Sequence, residues 1–191
     1  TGGGLPGAGN SGNTPSTTTG KFGSCQDFDG ANDRIRLQEI NDSTWTELTV
    51  QLWINPDDTG DDRLFGKCWG TGTDDQTWLL RQWSGNIGCR HRTNSANEAG
   101  FDPVSTTVGS WQIATYTWVA GSPGTIRVYK NGSEEGSTTI DGTLLYQSPA
   151  TDNPTIGNIP GGGRDYNGKL QEARVLNVVR TPEWLQTEYN N

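Results

Sequence analysis

Trp69 follows Cys68 just before the Gly-rich stretch 70–73, and Trp83 precedes the turn-forming triplet Ser84-Gly85-Asn86. Indoles held at loop tips on a rigid sheet can stack on the apolar faces of sugar rings, while amide and guanidinium groups bond the hydroxyls. Arg81, Asn86, Arg90 and Arg92 lie on neighbouring segments and would supply those donors. Trp69, Trp83, Arg81, Asn86 and Arg90 therefore form a candidate glycan site. The opposing expectation is that these indoles fill a core short of aliphatic residues.

Other chemistries find less support. The single histidine, His91, sits in the run Arg90-His91-Arg92. Triad work would require serine and carboxylate partners, whereas a surface strand residue needs none. The three cysteines, Cys25, Cys68 and Cys89, show no C-x-x-C spacing, so a zinc knuckle is disfavoured. A Cys68–Cys89 bridge between two candidate strands is one reading; small buried thiols are the other. Fourteen basic against 22 acidic residues give a net charge of −8, which disfavours a nucleic-acid partner. No stretch approaches the ~20 apolar residues of a helical membrane span.

The elements that must hold such a site are strands. Only 30% of the 191 residues are hydrophobic, while Gly and Pro number 27 and 9. That composition favours one all-β domain with many turns over a helical bundle. Leu48, Val50, Leu52 and Ile54 alternate with period two, and Trp53 interrupts them, as in a strand covered on both faces or carrying a bulge. Further strands are expected at 63–68, 77–83, 86–91, 111–119, 125–130, 135–140 and 169–178. Asn131-Gly132 is the strongest hairpin signal. Thr181-Pro182-Glu183 opens the one helical segment, with Thr as N-cap. Residues 1–20 are Gly/Ser/Thr-rich and read as an arm or linker, with the domain over 21–191.

Several segments, in order, resemble the laminin-G-like branch of the concanavalin-A-like jelly rolls. They are Gly20-Lys21-Phe22-Gly23-Ser24 with Phe28-Asp29-Gly30-Ala31-Asn32-Asp33-Arg34-Ile35, the strand Leu48–Pro56, Trp111-Gln112-Ile113-Ala114, and Arg127-Val128-Tyr129-Lys130-Asn131-Gly132. Thr155-Ile156-Gly157, Tyr166–Val175 and Thr181-Pro182-Glu183 complete the set, which spans about residues 20–189. The resemblance implies a two-sheet antiparallel jelly-roll sandwich with a short C-terminal helix. It places Trp53, Trp111 and Trp118 on core strands, and Trp184 is expected to anchor the helix.

Function does not follow from the fold, because relatives include lectins, adhesion domains, glycoside hydrolases and viral structural proteins. Laminarinase-type relatives carry E-x-D-x-x-E within a strand, and nothing here has that spacing, so the chain is expected to be no enzyme. Many relatives hold a structural calcium where the opening Phe-Asp-Gly loop meets a late acidic residue. Asp29, Asn32 and Asp33 match that loop, while Gln171 stands at the late position and offers a carbonyl without charge. The acidic stretches Asp57-Asp58-Thr59-Gly60-Asp61-Asp62 and Asp74-Asp75 are a second place for a cation, or simply solvated turns.

A chain lacking Met, with few Lys and a Gly/Thr/Asn-rich surface, reads as a processed, exported protein. The expectation is a non-catalytic extracellular recognition module that binds a glycan or another cell-surface polymer. The alternative is a self-assembling subunit of a filament, appendage or virion surface, with residues 1–20 docking on a neighbour.

Overall fold

The computed structural model describes residues 14–68, 76–93, 97–146, 153–158 and 163–191. Two antiparallel sheets face one another. The strands in chain order are β1 (Ser16–Thr19), β2 (Ser24–Asp29), β3 (Ile35–Arg36), β4 (Glu47–Pro56), β5 (Arg63–Cys68), β6 (Gln76–Trp83) and β7 (Asn86–Arg92). There follow β8 (Glu98–Ser105), β9 (Gln112–Val119), β10 (Gly121–Lys130), β11 (Ser133–Gly142), β12 (Thr155–Ile156), β13 (Asn167–Leu176) and the helix α1 (Pro182–Asn190). One sheet runs β1-β2-β13-β4-β9-β10-β11 and the other β3-β12-β5-β6-β7-β8. The expected jelly-roll sandwich with a short terminal helix is the architecture found.

Alternation decides which side chains meet between the sheets. Leu48, Val50, Leu52 and Ile54 of β4 face Trp78 and Leu80 of β6 and Ile87 and Cys89 of β7 in one core. Trp53 points the other way yet is only 3% exposed. Tyr189 of α1 stacks on it at 5.8 Å between ring centroids, and Phe22 meets it edge-on at 5.6 Å. The indole breaks the polar alternation of β4 because the C-terminal helix lies over that face. Thr181 caps the helix by accepting the Trp184 N–H, and Leu185 is its buried residue.

Two tight hairpins rely on residues that adopt left-handed backbone. Ser84 and Gly85 (φ 48° and 76°) join β6 to β7, and Asn131 and Gly132 (φ 54° and 79°) join β10 to β11. The pairs Trp83–Asn86 and Lys130–Ser133 close them as two-residue loops.

Some expectations need correction. Ser16–Thr19, read as part of the arm, pairs antiparallel with β2 of the same chain, from Ser16–Asp27 to Thr19–Ser24. Its β-branched threonines are thus an edge strand of the domain. Strand β8 had no expected counterpart, because Gly100 and Pro103 interrupt its apolar pattern. His91 is fully buried instead of lying on the surface: alternation turns Arg90 and Arg92 outward and His91 inward onto Trp118, 4.5 Å away. Cys89 is a buried free thiol, so no Cys68–Cys89 bridge exists, and Cys25 is likewise free and buried. Trp111 is half-exposed just before β9, whereas Trp78 is fully buried.

Candidate functional site

The outer face of the six-stranded sheet gathers most of the residues singled out for sugar recognition. Trp78 and Leu80 of β6 point into the core, so Leu79, Arg81 and Trp83 point out. Register carries that face across the sheet. Trp83 pairs with Asn86 and Asn86 with Ser105; Arg63 pairs with Arg81 and Arg81 with Gly88. A third row runs Arg36, Thr155, Gly66, Leu79, Arg90, Gly100. Trp83, Arg81, Asn86 and Arg90 therefore share one face of the sheet, on which Arg81, Leu79 and Arg63 are buried. Trp69, the fifth member of the expected set, lies outside the described residues, as do Asp74 and Asp75.

Glycines let long polar side chains lie flat here. A Cβ on Gly88 would meet Asp102 Oδ1 at 2.2 Å, and one on Gly100 would meet Arg81 Nη2 at 2.9 Å. Arg81 uses that room to donate from Nε and Nη2 to the two oxygens of Asp102, at 2.8 and 2.5 Å. The fork geometry fixes the guanidinium, which lies 4.9 Å from the centre of the Trp83 ring. Arg164 reaches the same ring at 4.3 Å. It comes from 81 residues away because its backbone, in the left-handed region at φ 61°, accepts the Arg63 N–H. The half-buried indole is thus flanked by two guanidinium groups, whose N–H donors lie beside its ring.

The remaining polar residues are tied into the same surface. Asn86 donates to the Ser84 carbonyl at 3.4 Å and accepts from the Ser105 hydroxyl at 3.3 Å. Arg90 and Arg92 both bind the Glu98 carboxylate, whose side chain remains 27% exposed. Burial pulls the Glu98 carboxyl upward, but the hydrogen bonds and charges of the two arginines outweigh it and hold the group below its ordinary range.

The acidic turn 57–62 borders the Trp83 end. Asp61 accepts the Ser84 N–H at 2.6 Å, Asp58 accepts from Gly60 N at 2.8 Å and Asn167 Nδ2 at 2.9 Å, and Asp62 accepts from Gln82 at 3.1 Å. These carboxylates close turns. Burial first, then the charges of Asp58, Asp61 and Asp165, pushes the Asp62 carboxyl up to about 7.

The residues expected to hold calcium are hydrogen-bonded within the chain. Gln171 Oε1 accepts the N–H groups of Lys21 and Phe22, while its nitrogen donates to the carbonyls of Phe22 and Ser24. Asp33 accepts the Asp29 N–H at 3.1 Å, Asp29 accepts the Ala31 N–H at 2.9 Å, and Asn32 is exposed. Among the described residues no group of three or more His, Cys, Asp or Glu is arranged to hold a metal ion. The late residue serves as a clasp for the chain entering β2.

A sandwich of this topology, with the matching sequence over residues 29–186, defines a concanavalin A-like domain. The chain belongs to the concanavalin A-like lectin/glucanases superfamily. No curated protein sequence matches it. Among solved structures it is similar to domain 4 of AbnA, a GH43 extracellular arabinanase from Geobacillus stearothermophilus, determined with arabinotriose. The identity is 20% over 93% of this chain and 82% of that one, with a TM-score of 0.67. The heptameric SAP-like pentraxin from Limulus polyphemus is 20% identical over 85% of this chain and 80% of that one, at TM-score 0.61. The botulinum neurotoxin serotype G binding domain is 12% identical over 94% of this chain and 47% of that one, at 0.63. At such identities the likeness concerns the fold. Among the described residues no helix is long and apolar enough to cross a membrane.

Proposed function

We propose that this chain is a non-catalytic recognition module that binds carbohydrate outside the cell, through the outer face of its six-stranded sheet. The observation that carries the reading is the convergence of Trp83, Arg81, Arg90 and Asn86 on one face, on adjacent strands joined by a tight turn. Indole, guanidinium and amide on a rigid surface are the groups that recognise a sugar's apolar face and its hydroxyls. The arabinotriose in the AbnA domain and the binding role named for the neurotoxin domain support a binding module on this fold. Exposed polar contacts contribute only about 0.5–1.5 kcal/mol each, so micromolar to millimolar affinity is expected. The test is titration with a glycan panel, followed by Trp83→Ala and Trp83→Phe with melting curves. Binding lost in Trp83→Ala with the fold retained supports the site; unchanged binding removes Trp83 from it.

A second reading, a self-assembling subunit, draws on β1. This strand lies at the edge of its sheet, so its outer side can accept another strand. Deleting residues 1–13 leaves β1 in place. A particle size that falls on deletion favours assembly, and a monomer before and after ends it.

A further inference from the structure

We infer that Arg164 is a displaceable cover on Trp83, and that a sugar reaches the indole only by turning this guanidinium aside. The inference rests on the carbohydrate reading and concerns the regulation of that same site. A sugar ring stacked on an indole occupies the space directly over it. In the structure guanidinium groups take that space: the Arg164 carbon Cζ lies 4.3 Å from the centre of the Trp83 ring, and that of Arg81 lies 4.9 Å from it. Two groups cannot fill one place, so stacking requires one of them to leave.

The two guanidinium groups are held in different ways. Arg81 stands on β6, between paired strands on either side, and its side chain is 8% exposed. Its Nε and Nη2 donate to the two oxygens of Asp102, so moving it would break a bidentate pair and leave a carboxylate unpaired. Arg164 has no such anchor. Its Nη1 is withdrawn from solvent without a hydrogen-bond partner, and among the described residues no carboxylate forms an ion pair with it. An N–H group shut off from both water and acceptors is disfavoured, and contact with the ring offsets this only in part. Turned outward, the same nitrogen would meet water or the oxygens of an arriving ligand.

The backbone permits that turn. The Arg164 carbonyl accepts the Arg63 N–H, and its φ of 61° lies in the left-handed region. Gly163 before it is also left-handed, at φ 82°, and a Cβ placed there would meet nothing within 4 Å. The main chain is thus pinned beside open space, and the long side chain can leave the ring without moving a strand. Arg81 stays beside the uncovered indole as a fixed donor.

The test uses the full chain with Arg164→Gly and Arg164→Asn, since both residues suit a left-handed backbone. Hydroxyl-radical footprinting read by mass spectrometry reports the oxidation of Trp83 with no ligand present. Isothermal titration with arabinotriose, cellotriose and mannotriose reports binding, and melting curves confirm folded variants. Trp83 should be oxidised about twofold more or higher in both variants, and trisaccharide affinity should tighten about two- to fivefold, the worth of one exposed cation–π contact. The fully buried Trp78 and Trp118 should be unchanged. Unaltered oxidation of Trp83 overturns the cover and leaves the carbohydrate reading standing. Weaker binding by the variants also overturns it, because Arg164 would then be a ligand contact. Higher oxidation with unchanged affinity overturns it by showing that shielding does not govern binding. If neither the parent chain nor the variants bind any trisaccharide, the proposal is overturned and its support is withdrawn from the parent reading.

Discussion

The Lys67 ammonium lies 2.7 Å from Asp42 Oδ1, with both side chains withdrawn from solvent. Lys67 also donates to the Ile40 carbonyl at 2.8 Å, and Trp78 Nε1 donates to Asp42 Oδ2 at 2.9 Å. The carboxylate thus joins the 40–42 segment to the inner side of β5 and β6. Breaking a buried pair leaves one charge uncompensated, whereas replacing both members removes the problem. Asp42→Ala is expected to destabilise by about 3–5 kcal/mol. Lys67→Met combined with Asp42→Leu should recover much of that loss, as read by urea unfolding of the single and double variants.

Gln171 acts on the entry to β2 as a strand would. It satisfies two N–H groups and two carbonyls from Lys21 to Ser24. Gln171→Leu removes all of these bonds, and at about 0.5–1.5 kcal/mol each the expected loss is on the order of 2–4 kcal/mol. Hydrogen exchange should locate it: the amides of Lys21 and Phe22 should exchange faster than those of β4. Equal acceleration throughout would show a global effect instead of a lost clasp.

Two buried groups act oppositely on stability as pH changes. The Asp62 carboxyl titrates near 3.8 when unfolded and about 7 when folded, so the folded chain holds the extra proton between those values. Its contribution is present below about 4 and is lost as pH rises through 7. His91, pushed by burial from 6.5 to about 3, behaves in reverse: its contribution is present above 6.5 and is lost as pH falls through 3. Across pH 4–6.5 the two slopes offset one another. Asp62→Asn should therefore raise the melting temperature at pH 8 more than at pH 4. His91→Phe should flatten the fall in stability on the acid side. Melting curves of both variants from pH 3 to 8 check the signs, and parallel shifts at all pH values would contradict them.

The fold was legible because β-structure writes its own period. Leu48 to Ile54 alternates, Asn131-Gly132 is nearly obligatory for a two-residue turn, and Thr181-Pro182 marks a helix start. Short strands with weak patterns escaped, since Ser16–Thr19 and β12 owe their structure to partners far along the chain. For the site, the sequence offered Trp83, Arg81, Asn86 and Arg90 because they flank one turn. It could not offer Arg164, whose approach to Trp83 depends on a loop seated against β5, nor the Arg90–Glu98–Arg92 cluster, which requires the register of a strand containing Gly100 and Pro103. The same limit misplaced His91: three polar residues in a row give no hint which one faces inward until the strand's phase is known.

The glycines at positions 66, 88 and 100 of neighbouring strands bear on the kind of polymer this surface can read. Leu79, Asp102 and Arg81 lie flat over these three positions, so under the proposed reading a ligand would lie across the sheet and not enter it end first. At ~4.8 Å between strands, the strip from β5 to β8 is about 14 Å wide. Under the proposed reading such a strip would engage several linked rings at once. Recognition would then address the interior of a long chain, and affinity would climb with oligomer length until the strip is filled, after which further units would add only more registers in which to bind.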